Sequence, residues 1–143
     1  MLIAIALAVL GGFFLIVSPL FATSEKPTAD LGGVIPATAT VGQPFEIDVG
    51  FDNTSQSIIS PTCVLLDVSG PLQPRSVTFQ GTDVRHITNG EACGGSLNGQ
   101  ETVSLRIAMT PTAAGTAQVT VTPAQGPSGI GPGVAGSVTI AAS

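Results

Sequence analysis

The stretch that decides the fold is residues 45–53, with the sequence FEIDVGFDN. Apolar side chains stand at every second position of this stretch: Phe45, Ile47, Val49 and Phe51. Successive side chains of a β-strand point to opposite faces of the sheet, so this alternation predicts a strand with one buried and one solvated face. The same period of two returns in residues 103–109 (VSLRIAM) and 116–122 (TAQVTVT).

Shorter apolar runs surround these three segments and are separated by Gly, Pro and Asn-Gly turns. The runs comprise residues 34–40, 63–69, 77–79, 84–87 and 136–142. No helical periodicity follows residue 22. Seven or eight short strands without intervening helices predict a mainly β protein, in which residues 34–143 form a single antiparallel Ig-like β-sandwich.

The first 22 residues, MLIAIALAVLGGFFLIVSPLFA, carry no charged side chain. As an α-helix they reach about 33 Å, close to the roughly 30 Å hydrocarbon core of a bilayer. They therefore predict one N-terminal transmembrane helix, with a cleaved secretory signal ending at Ala22 as the alternative. Residues 23–33, TSEKPTADLGG, are expected to form a polar linker because Pro27 and two glycines interrupt regular structure.

Small residues recur along the predicted helix. Ala4, Ala8 and Gly12 are spaced four residues apart, and Ala6 and Gly11 widen the same surface. Such rows allow transmembrane helices to approach closely, which makes these residues candidates for helix packing. The alternative is that the row faces lipid, since alanine and glycine are common in membrane helices.

The two cysteines, Cys63 and Cys93, lie 30 positions apart. In a chain with an export segment this pair predicts one structural disulfide, with two unrelated buried thiols as the alternative. Asn-Gly turns on both sides of Cys93 place it in a predicted loop. Because a disulfide persists in oxidising compartments, we expect a single-pass protein of the cell membrane whose C-terminal domain lies in the periplasm or at the cell exterior.

Composition excludes several functions. Only 9% of the residues are charged, the formal net charge is -5, and the four basic residues are scattered. Such a sequence does not provide a positively charged surface that could bind nucleic acid or anionic lipid. His86 is the only histidine, so a histidine-rich metal centre cannot form within one chain, and no nucleophile motif accompanies it. We expect no enzyme activity, cofactor, metal or small-molecule substrate.

Two further patterns have alternative interpretations. Glu46, Asp48 and Asp52 share the solvated face of the 45–53 strand, where they are either calcium ligands or an ordinary solvated face. Residues 53–55, Asn-Thr-Ser, match the acceptor motif for N-glycosylation.

Residues 123–136, PAQGPSGIGPGVAG, are rich in glycine and proline and carry no charge. We expect a long loop, because no alternation of apolar and polar residues continues through it. Ile130 and Val134 are its exposed apolar side chains and candidates for contact with a partner or the membrane interface. A mobile hairpin connection without a binding role is the alternative.

Two stretches resemble the bacterial Ig-like and fibronectin-type accessory domains. Residues 39–56, ATVGQPFEIDVGFDNTSQ, are similar to the opening of such domains, where a Val-Gly turn leads into a strand that ends at Asn. Residues 109–123, MTPTAAGTAQVTVTP, resemble their late hairpin. The resemblance covers about residues 34–141 and carries over no active-site residue. It implies a domain that is carried on an N-terminal membrane anchor and has an adhesive, spacing or subunit-packing role.

These observations favour a non-catalytic accessory subunit of a larger membrane assembly, such as a photosynthetic or respiratory complex. Its expected partners are integral membrane proteins and the lipid bilayer, with the β-domain capping the extracytoplasmic face. A surface filament subunit of pilin or archaellin type is the first alternative, although a basic leader and an early acidic residue are missing and the first charge is Glu25. A secreted adhesive or binding module is the second alternative.

Overall fold

The computed structural model describes residues 25–143, and every regular element in that range is a β-strand. The strands are β1 (Ala29–Gly33), β2 (Thr38–Thr40), β3 (Phe45–Asn53), β4 (Thr62–Ser69), β5 (Leu72–Phe79), β6 (Asp83–His86), β7 (Glu91–Cys93), β8 (Thr102–Pro111), β9 (Gly115–Gln125), β10 (Ser128–Gly129) and β11 (Val134–Ala141). Within residues 25–143, no helix has the length and hydrophobicity needed to cross a membrane.

The strands form two stacked sheets. Sheet A has the order β1-β3-β8-β5-β6, and all of its neighbouring strands are antiparallel. Sheet B has the order β2-β11-β9-β4-β7, and β10 pairs with β9 beside this path. The β2–β11 pair is parallel, whereas the other pairs of sheet B are antiparallel. This arrangement confirms the predicted mainly β, Ig-like sandwich. The described residues form eleven strands rather than the predicted seven or eight, and the β2–β11 pair departs from the predicted antiparallel order.

The core lies between the two sheets and follows the predicted alternation. On sheet A, Ile47 pairs with Ile107 and Val49 with Leu105, and all four side chains are buried. Within residues 116–122 of β9, the buried residues are those predicted from the period of two, and Phe45 is half-buried at the edge of the core. The inward-facing side chains of the central strands thus form most of the apolar core between the two sheets, as expected for a sandwich.

The start of the domain differs from the sequence prediction. Residues 29–33, predicted as the end of a polar linker, form β1 and pair with the second half of β3. Ala29 is buried, and its backbone N–H donates a hydrogen bond to the carbonyl of Ile130. The prediction was wrong here because a five-residue strand with two glycines has little apolar alternation of its own. Of the apolar run over residues 34–40, only Thr38–Thr40 form a strand, which is β2.

The predicted long loop over residues 123–136 is also corrected. β9 continues to Gln125, β10 turns back along it, and β11 begins at Val134. Ile130 and Val134 are half-buried and pack against the core, so the expectation that they are exposed was wrong. A side chain at Gly131 would collide with the carbonyl of Ala29. The glycines therefore allow close backbone approach rather than a free loop.

The predicted transmembrane helix over residues 1–22 lies outside the residues that the structure describes. The same holds for the helix-packing candidates Ala4, Ala6, Ala8, Gly11 and Gly12. These predictions enter below only as part of a proposal.

We predict that Phe51→Ala lowers the free energy of unfolding by about 3–5 kcal/mol, because it leaves a cavity in a packed core. Phe51 is 0% exposed in the second half of β3. The control is Val84→Ala, since Val84 is 60% exposed and its truncation should change stability by less than about 0.5 kcal/mol. Urea denaturation of the purified chain measures both, and similar losses for the two variants would contradict the assigned core.

Candidate functional site

The two cysteines form a disulfide between neighbouring strands of sheet B. Cys63 on β4 lies directly opposite Cys93 on β7, with an S–S distance of 2.05 Å and a Cα–Cα distance of 4.1 Å. The predicted bridge is confirmed, although Cys93 lies in a short strand rather than in a loop. β7 is an edge strand that pairs with β4 through three residue pairs, so the covalent bond secures a weakly held edge.

Glu91 lies beside this bridge. Its carboxylate oxygen is 3.0 Å from Sγ of Cys93, and the two sulfur atoms and the carboxylate lie within 4.8 Å of one another. Three such groups would suit a thiophilic metal if the cysteines were thiolates. The disulfide uses both sulfur atoms, so in the oxidised protein this cluster is a cross-link and not a metal centre.

One end of the sandwich gathers the chain start and most of the longer loops. We call it the N-terminal pole and define it by residues 25–28, 53–61, 80–83, 94–101 and 126–133. The strand register places these segments together: β1 begins where β3 ends, β8 begins beside the same point, and β4 begins opposite the end of β9. The opposite end of the sandwich contains the turn between β8 and β9.

Asn53 organises the loops of the N-terminal pole. Its side chain is fully buried, and Nδ2 donates hydrogen bonds to the carbonyls of Ser57 (2.8 Å), Asn98 (3.0 Å) and Leu97 (3.3 Å). Oδ1 accepts hydrogen bonds from the backbone N–H (3.0 Å) and hydroxyl (2.7 Å) of Ser55. Because Nδ2 is enclosed and bonded, a glycan cannot be attached there in the folded domain. The motif at residues 53–55 therefore has a structural role in holding the loops around Asn53.

The chain is fixed to the N-terminal pole from Glu25 onward. The backbone N–H of Gln56 donates to a carboxylate oxygen of Glu25 at 3.2 Å, and the hydroxyl of Ser57 donates to the Glu25 carbonyl. The backbone N–H of Thr54 donates to the carbonyl of Thr28 at 3.0 Å, and the two threonine hydroxyls are 2.8 Å apart. Residues 25–28 therefore belong to the domain rather than to a flexible linker.

A cleft of about 280 Å³ opens at the N-terminal pole between the β5–β6 turn and residues 95–97. Its floor is apolar and buried, formed by Phe79, Leu97 and Val103. Its polar lining residues are Thr62, Gln80, Thr82, Asp83 and Ser96. An apolar floor with hydrogen-bonding groups around it is the usual composition of a binding cleft.

Asp83 carries the negative charge of this cleft. Nε and Nη2 of Arg85 donate hydrogen bonds to its two carboxylate oxygens at 2.7 and 2.9 Å. The hydrogen bond from Arg85, followed by the charge of its guanidinium, lowers the pKa of Asp83 and keeps the carboxylate ionised. A carboxylate paired in this way suits hydrogen-bond recognition better than proton transfer near neutral pH.

The other candidates from the sequence are not brought together. Asp48 faces Arg106 across sheet A at 3.8 Å, and Asp52 accepts a hydrogen bond from the hydroxyl of Thr102 at 3.2 Å. The carboxylates thus have separate partners on a solvated sheet face, whereas calcium requires convergent oxygen ligands. His86 lies exposed on the edge strand β6.

The cleft and the Asn53 network were not found from the sequence. The lining residues come from four separate parts of the chain, and no local pattern connects them. Asn53 offered one signal, since an asparagine at a strand end with a serine two residues later is typical of a side chain that bonds to the following backbone.

No protein-family model matches the sequence, and no curated protein is significantly similar to it. Several solved structures share its fold. AvmM, described as catalysing macrocyclization in alchivemycin A biosynthesis, has a TM-score of 0.56 at 15% identity, over 80% of this chain and 88% of that chain. A CARDB domain from Pyrococcus furiosus has a TM-score of 0.50 at 18% identity, over 80% and 93%.

Part of Escherichia coli alpha-2-macroglobulin is also similar, with a TM-score of 0.52 at 14% identity, over 81% of this chain and 7% of that chain. At these identities the likeness shows the fold alone. The described chain is an Ig-like β-sandwich domain. Because one of these proteins is described as an enzyme, the shared fold does not decide whether this chain catalyses a reaction.

We predict that the double substitution Cys63→Ala/Cys93→Ala lowers the free energy of unfolding by about 3.5 kcal/mol, because the unfolded chain regains the entropy of an open loop. Urea denaturation measures the loss. The unsubstituted protein in the presence of a dithiol reductant is the control and should unfold at the same urea concentration as the variant. A loss below about 1 kcal/mol would contradict the stabilising role of the bridge.

We predict that Asn53→Ala lowers the free energy of unfolding by about 2–3 kcal/mol, since it removes several hydrogen bonds and leaves buried polar groups without partners. Asn98→Ala is the matched control, because it changes an exposed side chain in the same loop cluster and should cost less than about 0.5 kcal/mol. Thermal or urea unfolding compares the two variants. Equal stabilities would show that the Asn53 network does not hold the N-terminal pole.

Proposed function

We propose that this protein is a non-catalytic accessory subunit of a larger membrane assembly, anchored by residues 1–22, with its Ig-like domain outside the cytoplasm. The observation that carries the proposal is the Cys63–Cys93 disulfide in a domain that directly follows an apolar segment of membrane-spanning length. Disulfides persist in oxidising compartments, which supports the extracytoplasmic location. The expected partners are integral membrane proteins within the same bilayer.

The attachment of residues 25–28 to the domain supports a structural role. A domain on a long flexible linker would sample many orientations relative to its anchor. Here the hydrogen bonds from Gln56 and Ser57 to Glu25 leave few free residues between the apolar segment and the folded domain. A short connection suits a subunit that covers one particular surface of an assembly.

The chemistry of the titratable side chains supports a non-catalytic role. Both cysteines are joined, Asp83 is ion-paired with Arg85, and His86 lies exposed on an edge strand. General acid–base catalysis needs a group with a suitable pKa within hydrogen-bond reach of the reacting atom. These groups are better explained by stability and by surface recognition.

A secreted binding module is the second candidate, and the cleft at the N-terminal pole favours it. Its apolar floor and polar lining would serve a soluble partner as well as a membrane-bound one. The two candidates differ in whether the chain keeps residues 1–22.

The test begins with membranes from cells that express the full chain with a C-terminal tag. The proposal predicts that the protein resists extraction by alkaline carbonate, begins at Met1, and purifies in mild detergent with integral membrane proteins in fixed stoichiometry. A matched control replaces residues 1–22 by a cleavable secretory signal and should lose both membrane retention and the co-purifying proteins.

A mature chain that begins at Thr23 and leaves the membrane on carbonate treatment would contradict the anchored subunit and favour the secreted module. Sheared extracellular filaments composed of this chain would favour the pilin-like alternative instead.

A further inference from the structure

We infer that the N-terminal pole is the surface that the domain turns toward the membrane, where its cleft and Ile58 receive an extracytoplasmic loop of an integral membrane partner. The inference rests on the proposed function and specifies its contact surface. Three observations lead to it: the length of chain between the apolar segment and the domain, the chemistry of the N-terminal pole, and its charge.

The length of the connection limits where the N-terminal pole lies. Three residue steps separate Ala22, the end of the apolar segment, from Glu25, the first residue that the structure describes and one that is bonded to the domain. Even fully extended, they span about 10 Å. The strands extend from the N-terminal pole to the opposite end, and an 11-residue strand such as β9 covers about 35 Å. With an anchor that ends at Ala22, the N-terminal pole is therefore held at the membrane surface.

The N-terminal pole also offers the chemistry that a protein loop requires. Ile58 is 52% exposed, and it lies in the segment held by Asn53. The cleft at the same pole combines a buried apolar floor with the exposed polar side chains of Thr82 and Ser96. The bonds of Asn53 hold these loops in place before binding, and such preorganisation lowers the entropy lost on association.

Charge at the N-terminal pole favours a protein loop over the lipid surface. Lys26 lies beside Glu25 in the sequence, Arg85 is paired with Asp83, and Glu101 adds a further negative charge. Anionic lipid headgroups attract clusters of basic residues, and these charges do not form one. A peptide segment with an apolar side chain and free backbone groups fits this surface better than a layer of anionic headgroups.

The other large apolar side chains that the structure exposes do not share this setting. Val34 is 82% exposed shortly after β1, and Val84 lies on the outer face of the edge strand β6. Isolated apolar residues are normal on protein surfaces and need no partner. Ile58 differs because it lies within the N-terminal pole, at the end of the domain nearest the proposed anchor.

Site-specific photo-crosslinking of the full chain in its native membranes tests the inference. A photo-reactive amino acid replaces Ile58 or Thr82 at the N-terminal pole, and Ala113 in the β8–β9 turn serves as the control at the opposite end. All three side chains are exposed or largely so, and the substitutions should leave folding intact. We expect the two pole positions to crosslink at least fivefold more than Ala113 to one carbonate-resistant protein, at a peptide that mass spectrometry maps to an extracytoplasmic loop.

The outcomes separate the inference from the proposed function. Lipid adducts without protein adducts at Ile58 would overturn the protein loop as occupant in favour of the bilayer. Equal crosslinking from Ala113, or none from either pole position in a carbonate-resistant chain, would overturn the assigned surface while leaving the anchor in place. Release of the chain by carbonate would overturn the proposed function, and the inference with it.

A linker insertion tests the role of the short connection independently. A flexible linker of twenty glycine and serine residues, inserted between Ser24 and Glu25, has a root-mean-square end-to-end distance of about 25 Å. It therefore lowers the effective concentration of the N-terminal pole at the membrane. We expect crosslinking from Ile58 to fall several-fold while membrane retention stays unchanged. The same insertion after Ala113 is the control and should leave crosslinking unaltered. Undiminished crosslinking after the first insertion would overturn positioning by the connection.

Discussion

The structure depends on the alternate burial of side chains between two sheets. Ile47, Val49 and Phe51 of sheet A face the buried side chains of β4, β9 and β11 across the core. Burying an aliphatic side chain contributes roughly 1.5–3 kcal/mol, so a domain without tryptophan or tyrosine can be stabilised by many such contributions. The loops, the cleft and the disulfide are all positioned by this packing.

The sequence predicted the elements whose pattern is local and strong. β3, β8 and residues 116–122 of β9 have an uninterrupted period of two, and their inward residues lie where that period places them. β1 and residues 123–136 were missed because their glycines are defined by close contact with distant backbone, which a local pattern does not record. Ile130 is half-buried for the same reason, since its position depends on a hydrogen bond with Ala29.

The candidate site, too, was predicted only in part from the sequence. Two cysteines in a chain with an apolar N-terminal segment were enough to predict the bridge, although not the short strand around Cys93. The cleft combines Thr62, Phe79 and Val103 with residues 80–83 and 95–97, which meet only when both sheets have formed. Because strand register is a property of the folded chain, the N-terminal pole was not predictable from local spacing.

The proposed location and the proposed binding surface rest on two separate features. The disulfide joins the edge strand β7 to β4, and it is the basis for proposing an oxidising compartment. The bonds from Glu25 and Thr28 to the loops around Asn53 determine which end of the domain lies next to the apolar segment. Both features belong to the role proposed above, in which the domain holds and covers a partner.

The redox state of the two cysteines in living cells tests this account most directly. Cells are quenched with acid, free thiols are alkylated with a maleimide that adds measurable mass, and the chain is detected with and without prior reduction. The account predicts no added mass at Cys63 or Cys93 without reduction and two additions after it. Alkylation of both cysteines at the moment of quenching would place the domain in a reducing compartment and contradict the extracytoplasmic location.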